Sequence, residues 1–251
     1  MARLPTLAND LIQRRVNVIA ADPRGVYAAQ ALTTTIPVVF MSGADPVRNR
    51  LVASLDKPGG NLTGVSIQAS DLTAKRFGLF RDLVPQATII GVLSDATNPR
   101  AEFAVQEVQT AARRIGVTIR VISAGTEPEI AGALATFAQD GVGAVFVNNG
   151  FLFFSLSEKL SELAIRSRIA ITGELRRFVD GGALMSYGPS LEEAWRQVGH
   201  YTGRILKGER PADLPVMLPT KFEFVINLRT AKALGIEIPP SITLLADEVI
   251  E

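Results

Sequence analysis

Residues 89–147 read IIGVLSDATNPRAEFAVQEVQTAARRIGVTIRVISAGTEPEIAGALATFAQDGVGAVFV. Three short apolar, β-branched runs (Ile89–Leu93, Thr118–Ile122 and Ala144–Val147) are separated by two stretches with helical spacing, Pro99–Ile115 and Pro128–Gln139. Gly116 and Gly141 stand where each helix should stop. Short strands alternating with helices of roughly ten or more residues imply βαβ units, and hence a parallel sheet.

The same rhythm extends outward in both directions. Upstream, a short amphipathic helix closes at Asn9–Arg15, with Leu4, Leu7, Leu11 and Ile12 on one face. Val16–Ala21 and Ile36–Phe40 read as strands around a helix at Gly25–Thr33, and Asn61–Ser66 is short and extended. Asp71–Leu83 reads as a helix with Ser70 as its N-cap. Downstream come a helix at Ser157–Arg166, a strand at Ile169–Thr172, an extended piece at Ala183–Tyr187 and a helix at Leu191–Leu206, capped by Ser190 and stopped at Gly208. Phe222–Ile226 is a late strand, and Leu228–Leu234 a short helix before Gly235.

Two α/β architectures accommodate this order: a closed (β/α)₈ barrel, or two Rossmann-like lobes with open parallel sheets. The turn-rich stretch Asp56–Gly64 interrupts the strand–helix rhythm, and a second break follows Tyr187, so two lobes are favoured. The expected division is residues 1–64 plus 189–251 for lobe one and 65–188 for lobe two. Ligands of open α/β sheets bind outside the carboxyl ends of the strands, here in a cleft between the lobes.

Composition narrows the chemistry. The 251 residues include 26 Lys+Arg against 25 Asp+Glu, a formal net charge of +1. That balance lacks the basic excess of a nucleic-acid binder. The absence of cysteine excludes disulfides, thiolate metal sites and cysteine nucleophiles, and a single histidine, His200, cannot build a His-based zinc site. No metal and no cofactor is therefore expected. A Ser-His-Asp triad would have to use His200, which falls mid-helix, away from any strand end. No nucleophile elbow, phosphate-binding loop or zinc-protease motif occurs. The longest uncharged stretch, Gly141–Ser157, is broken by Asn148, Asn149 and Gly150 and is too short to cross a membrane. The N-terminus shows no apolar signal region. Asn61-Leu-Thr63 matches a glycosylation sequon, but a turn asparagine explains it as well.

Polar and small residues cluster just after the strands. Asp22, Arg24 and Gly25 follow the first strand and open a helix, whose N–H groups with a nearby Arg suit a carboxylate, although a capping Asp and a solvated Arg fit equally. Ser42, Gly43 and Asp45 follow the second strand. Asn98, before Pro99, is either a ligand group or a cap. Asn149 precedes Phe151-Leu-Phe-Phe154, a run that either walls a ligand or packs into the core. Glu174 follows the Ile169–Thr172 strand, and Tyr187 ends the later extended piece. One small-molecule ligand among these groups is the expectation.

Longer motifs carry a resemblance. Lys57-Pro-Gly-Gly-Asn-Leu-Thr-Gly-Val-Ser66, Leu184-Met-Ser-Tyr-Gly188, Gly203-Arg-Ile-Leu-Lys-Gly208 with Pro211-Ala-Asp-Leu-Pro215, and Pro219-Thr-Lys-Phe-Glu-Phe-Val-Ile-Asn-Leu-Arg-Thr-Ala-Lys-Ala-Leu-Gly235 resemble the ABC-transporter substrate-binding proteins, including their tryptophan- and tyrosine-binding TrpX-like members. The similarity spans essentially the whole chain. It implies a type I periplasmic-binding-protein fold, a small-molecule ligand (an amino acid or aromatic carboxylate), a membrane permease as partner and a periplasmic location, or a cytoplasmic one if Met1 is the true start. On this resemblance Asp22, Arg24–Gly25 and Ser42 to Asp45 serve on lobe one, Ser66 and Tyr187 at the two crossings, and Asn98, Asn149 and Glu174 on lobe two. Ser/Asn groups and helix starts would hold a carboxylate, Glu174 an amine, and Phe151 or Tyr187 the side chain. Family members begin with a further β-α-β unit, so the chain is expected to be N-terminally shortened, with lobe one lacking that unit. The edge along Val16–Ala21 would then be covered by a second copy in a homodimer, or the lobe would be loosely ordered.

Two competing readings remain at this point. One is an α/β enzyme acting on a small carboxylate through Asp45 or Glu174, although no activating partner is visible. The other is a ligand-sensing regulator, which would carry a helix-turn-helix segment ahead of the core.

Overall fold

A computed structural model of the chain describes residues 3–67 and 72–251. The elements run α1 (Arg3–Gln13), β1 (Ile19–Ala21), α2 (Gly25–Leu32), β2 (Val38–Ser42), β3 (Leu62–Ser66), α3 (Leu72–Leu83), β4 (Ile89–Asp95), α4 (Ala101–Arg114) and β5 (Thr118–Ala124). They continue with α5 (Glu127–Gln139), β6 (Ala144–Val147), α6 (Phe151–Ser155), α7 (Ser157–Arg166), β7 (Ala170–Gly173), α8 (Arg176–Asp180) and β8 (Met185–Pro189). The chain ends through α9 (Leu191–Leu206), a 3₁₀ turn (Pro211–Asp213), β9 (Phe222–Asn227), α10 (Leu228–Leu234), α11 (Pro240–Thr243) and β10 (Glu248–Ile250). The proposed cap Ser70 lies outside the described residues.

Two open sheets are present, which excludes the closed-barrel alternative. One has three strands in the order β1-β2-β3, and the other seven in the order β10-β9-β8-β7-β6-β4-β5. Both show parallel pairing, as alternating strands and helices require. The chain separates into two compact units: residues 1–69 with 189–221, and residues 70–188 with 222–251.

The C-terminal division differs from the expectation that residues 189–251 belong to lobe one. β9 joins the seven-stranded sheet beside β8, the Asn227 N–H donating to the Leu184 carbonyl at 2.9 Å. β10 then pairs with β9 in parallel. The chain therefore changes unit three times rather than twice.

In the first unit, β2 and β3 are buried on both faces. Ile19, Val38, Phe40 and Leu62 pack with Val26 and Ala29 of α2. Val39, Met41 and Val65 face Ala194, Val198, Tyr201 and Ile205 of α9. Gly64 is registered opposite Phe40, and a Cβ there would collide with the Phe40 carbonyl oxygen and lie 2.7 Å from its nitrogen. In the second unit, Val92, Phe146 and Met185 face α3 and α4, while Leu93, Val145 and Ile171 face α5 and α7. The edge strand β5 alternates in exposure, as a strand covered on one side should. Helices α4 and α10 end at Gly116 and Gly235, whose φ angles of 68° and 70° lie in the left-handed region that glycine adopts freely.

Candidate functional site

The carboxyl ends of the three-stranded sheet carry the first group of expected site residues. Ser42 and Ser66 are registered partners at the ends of β2 and β3. Both are buried. Most of the polar atoms here serve the local backbone. Asp22 Oδ1 accepts the N–H groups of Arg24 (3.2 Å) and Gly25 (2.5 Å), and so caps the start of α2. A Cβ on Gly25 would stand 2.8 Å from that oxygen, so the glycine makes the cap fit. Ser42 Oγ donates to the Ala44 carbonyl at 2.8 Å and accepts its N–H at 3.2 Å, folding the turn that holds Gly43. Asp45 Oδ1 accepts from Val47 (2.9 Å) and Arg48 (3.0 Å). The Ser66 N–H donates to Met217. The capping alternative thus holds for Asp22, and the turn at Asp45 is built the same way. Asn61 is a structural residue too: its Nδ2 donates to the Ile36 carbonyl at 2.8 Å.

The seven-stranded sheet gathers the second group. Phe146 registers with Thr172, Thr172 with Met185, and Gly173 with Ser186. Two residues beyond the Phe146–Thr172–Met185 row stand Asn148, Glu174 and Tyr187. Phe146, Met185 and Tyr187 share one core with Phe77 and Phe80 of α3, so α3 lies on this face.

Helix α3 brings a side chain that the sequence reading passed over. Arg76 is 1 % exposed and is the largest fully buried side chain among the described residues. Its guanidinium carbon sits 4.7 Å from the Phe146 ring centroid, a cation–π contact. Its Nη2 donates to Asn149 Oδ1 at 2.6 Å, while its Nε has no hydrogen-bond partner among the described residues. The signal lay in the helical period: Thr73, Arg76, Phe77, Phe80 and Leu83 form one buried stripe, with Arg76 on it.

Asn149 is the hub of the network. Its N–H donates to Asn148 Oδ1 at 2.9 Å, and its carbonyl accepts from Asn98 Nδ2 at 3.1 Å. Asn98 Oδ1 also accepts the Arg100 N–H at 3.0 Å, so Asn98 joins the start of α4 to the end of β6. Asp95, buried at the end of β4, accepts from Thr97 and, at 3.2 Å, from the Leu152 N–H. The loops after β4 and β6 are thereby fixed to each other.

Burial pushes the Glu174 carboxyl above the usual range, and the nearby Arg76 charge opposes that shift. Burial lowers the Arg76 pKa from its high ordinary value, and Glu174 and Glu107 resist. Of the residues expected on lobe two, Asn98 and Asn149 are hydrogen-bonded to each other, and Arg76 bonds Asn149 and feels the Glu174 charge. Tyr187 is less available. Its ring packs against Phe222 at 6.5 Å and Phe224 at 6.2 Å, and Lys75 Nζ lies 4.7 Å from its centroid. The Phe151–Phe154 run divides: Phe153 enters the core, and Phe151 is exposed with its edge toward Phe154. His200 is exposed on α9. No group of three metal-ligating side chains occurs among the described residues.

The model of a family described as "ABC transporter substrate binding protein" matches residues 1–250. A tyrosine-binding protein of Clostridioides difficile is 26% identical over 238 residues, covering 94% of this chain and 68% of that protein. Among solved structures, an ABC domain in complex with L-Trp from Streptococcus pneumonia superposes with a TM-score of 0.84 at 26% identity, over 99% of this chain and 84% of that one. A ligand-free, open substrate-binding protein with adhesive properties from Clostridium difficile gives a TM-score of 0.72 at 24% identity, over 100% and 83% of the two chains, and shows the fold alone.

Proposed function

Since the chain belongs to the ABC transporter substrate-binding protein family, we propose that it is the solute receptor of an importer and binds an amino acid or a small aromatic carboxylate. One observation supports this most directly. At the carboxyl ends of β4, β6 and β7 the buried Arg76 and Asn148 and the part-buried Asn98, Asn149 and Glu174 form one polar neighbourhood. Polar groups gathered in that place are what recognition of a small polar solute requires. The tyrosine and tryptophan of the two similar proteins are the first ligands to try here. In this reading Glu174 receives the ligand ammonium, and asparagine donors hold the carboxylate.

The proposal extends to a membrane permease as partner and to a periplasmic site of action, with no chemical change to the ligand. No helix among the described residues is long and apolar enough to cross a membrane. The enzyme reading draws on Glu174, whose raised pKa suits an acid or base.

Isothermal titration with L-tyrosine, L-tryptophan and aromatic acids tests the assignment. Saturable binding supports it, and conversion of any of them to product would replace it with the enzyme reading. Affinity for amino acids should rise with pH as Glu174 ionises, because only the carboxylate pairs with an ammonium.

A further inference from the structure

We infer that Arg76 sets the ligand preference of the β6 terminus by fixing the Asn149 side chain, next to an Asn148 side chain held by the Asn149 backbone N–H, as a donor-only subsite for a carboxylate. The inference rests on the ligand reading above and adds a residue and a polarity to it. A guanidinium carries only donors, so the Asn149 atom 2.6 Å from Arg76 Nη2 must be the side-chain oxygen. The Asn149 carbonyl is engaged by Asn98. A backbone N–H likewise only donates, so the Asn148 atom facing the Asn149 N–H is its oxygen. Both side-chain acceptors are thus used inside the protein, and the orientation of both amides follows from their partners rather than from choice. The Nδ2 groups remain. Asn148 is 4 % exposed, and its Nδ2 has no hydrogen-bond partner among the described residues.

A buried donor without a partner, as Asn148 Nδ2 is among the described residues, destabilises the unit unless something accepts from it. The matching group is an acceptor with several lone pairs, and a carboxylate supplies it. A carboxamide offers one acceptor and brings two donors against these donors, so the subsite rejects it. Arg76 does not touch the ligand in this scheme. It is a positioning residue, held over the Phe146 ring and out of solvent.

The test compares L-tyrosine and L-tryptophan with their primary carboxamides, titrated into wild type, N149D, R76M and R76K, with melting temperature recorded for each. Wild type should prefer the acids by about tenfold or more. N149D should fold at least as stably, since its new carboxylate faces Arg76, yet the preference should fall because an acceptor replaces the Asn149 donor while Asn148 Nδ2 remains. R76M should bring the ratio toward one by freeing Asn149 to turn, and R76K should retain most of it. Acid binding by wild type with an unchanged ratio in N149D and R76M overturns this inference alone. Failure of wild type to bind either acid overturns the functional reading and the inference together.

Discussion

Gly64 and Glu174 show how single residues set both stability and binding. At Gly64 the backbone of β2 occupies the space a side chain would need. Gly64→Ala is expected to destabilise the protein by about 1–3 kcal/mol through forced separation of β2 and β3, read as a lower urea midpoint. An unchanged midpoint would mean the strands adjust without loss. Glu174 has a raised pKa when folded, so the folded state holds its proton more tightly than the unfolded chain does. Its contribution is therefore complete below the ordinary glutamate range and declines as pH rises through the folded value. Glu174→Gln should flatten that decline and stabilise the protein at neutral pH, while weakening binding of amino acids. Melting curves between acid and neutral pH check the first effect, and titration calorimetry the second. Identical pH profiles for the two proteins would show that Glu174 is not held in a desolvated state. Arg76 teaches a related point about sequence. Beside Lys75 it reads as part of a solvated charged face, yet its spacing from Phe77 and Phe80 places it on the buried stripe. The asparagines at strand ends were visible from position alone. The cation bonded to Asn149 was not, because that contact joins residues 76 and 149, far apart in the chain.

At the scale of elements, helix α9 illustrates what local sequence fixes. Ser190 Oγ accepts the Glu193 N–H at 3.3 Å, and Leu191–Leu206 is the span its periodicity predicts. Ser190→Ala should lower stability by about 1 kcal/mol and speed amide exchange at Glu193. Unaltered exchange there would assign the cap to another group. The regular helices and central strands are legible because each carries a full period of buried residues. The short helices α6, α8 and α11 and the three-residue β10 are not, since too few residues repeat to make a pattern. Sheet order is illegible for a different reason. Hydrophobic spacing says that Phe222–Ile226 is a strand but not beside which strand it lies, so β9 was expected in the wrong unit. Deleting residues 222–251 should therefore disrupt the second unit, seen as lost exchange protection in β7 and β8. Protection retained there would mean the sheet stands without its last two strands. On the other sheet, nothing among the described residues pairs with the outer side of β1. The homodimer expected at that edge is checked by light scattering: a dimer mass supports it, and a monomer with protected β1 amides removes it.

At the scale of the molecule, two open parallel sheets and their cores give a scaffold whose strand ends present polar groups. A receptor of this kind gains stability from its ligand by mass action. At a hundred times its dissociation constant, the ligand should add about 2.7 kcal/mol, a clear rise in melting temperature. The central claim, that this chain holds a small carboxylate solute and leaves it unchanged, is met most directly by titrating the purified protein with L-tyrosine and L-tryptophan and recovering the solute afterwards. The account predicts saturable heat for at least one of them, with the compound recovered intact. Absence of heat for both, or recovery of an altered compound, would contradict it.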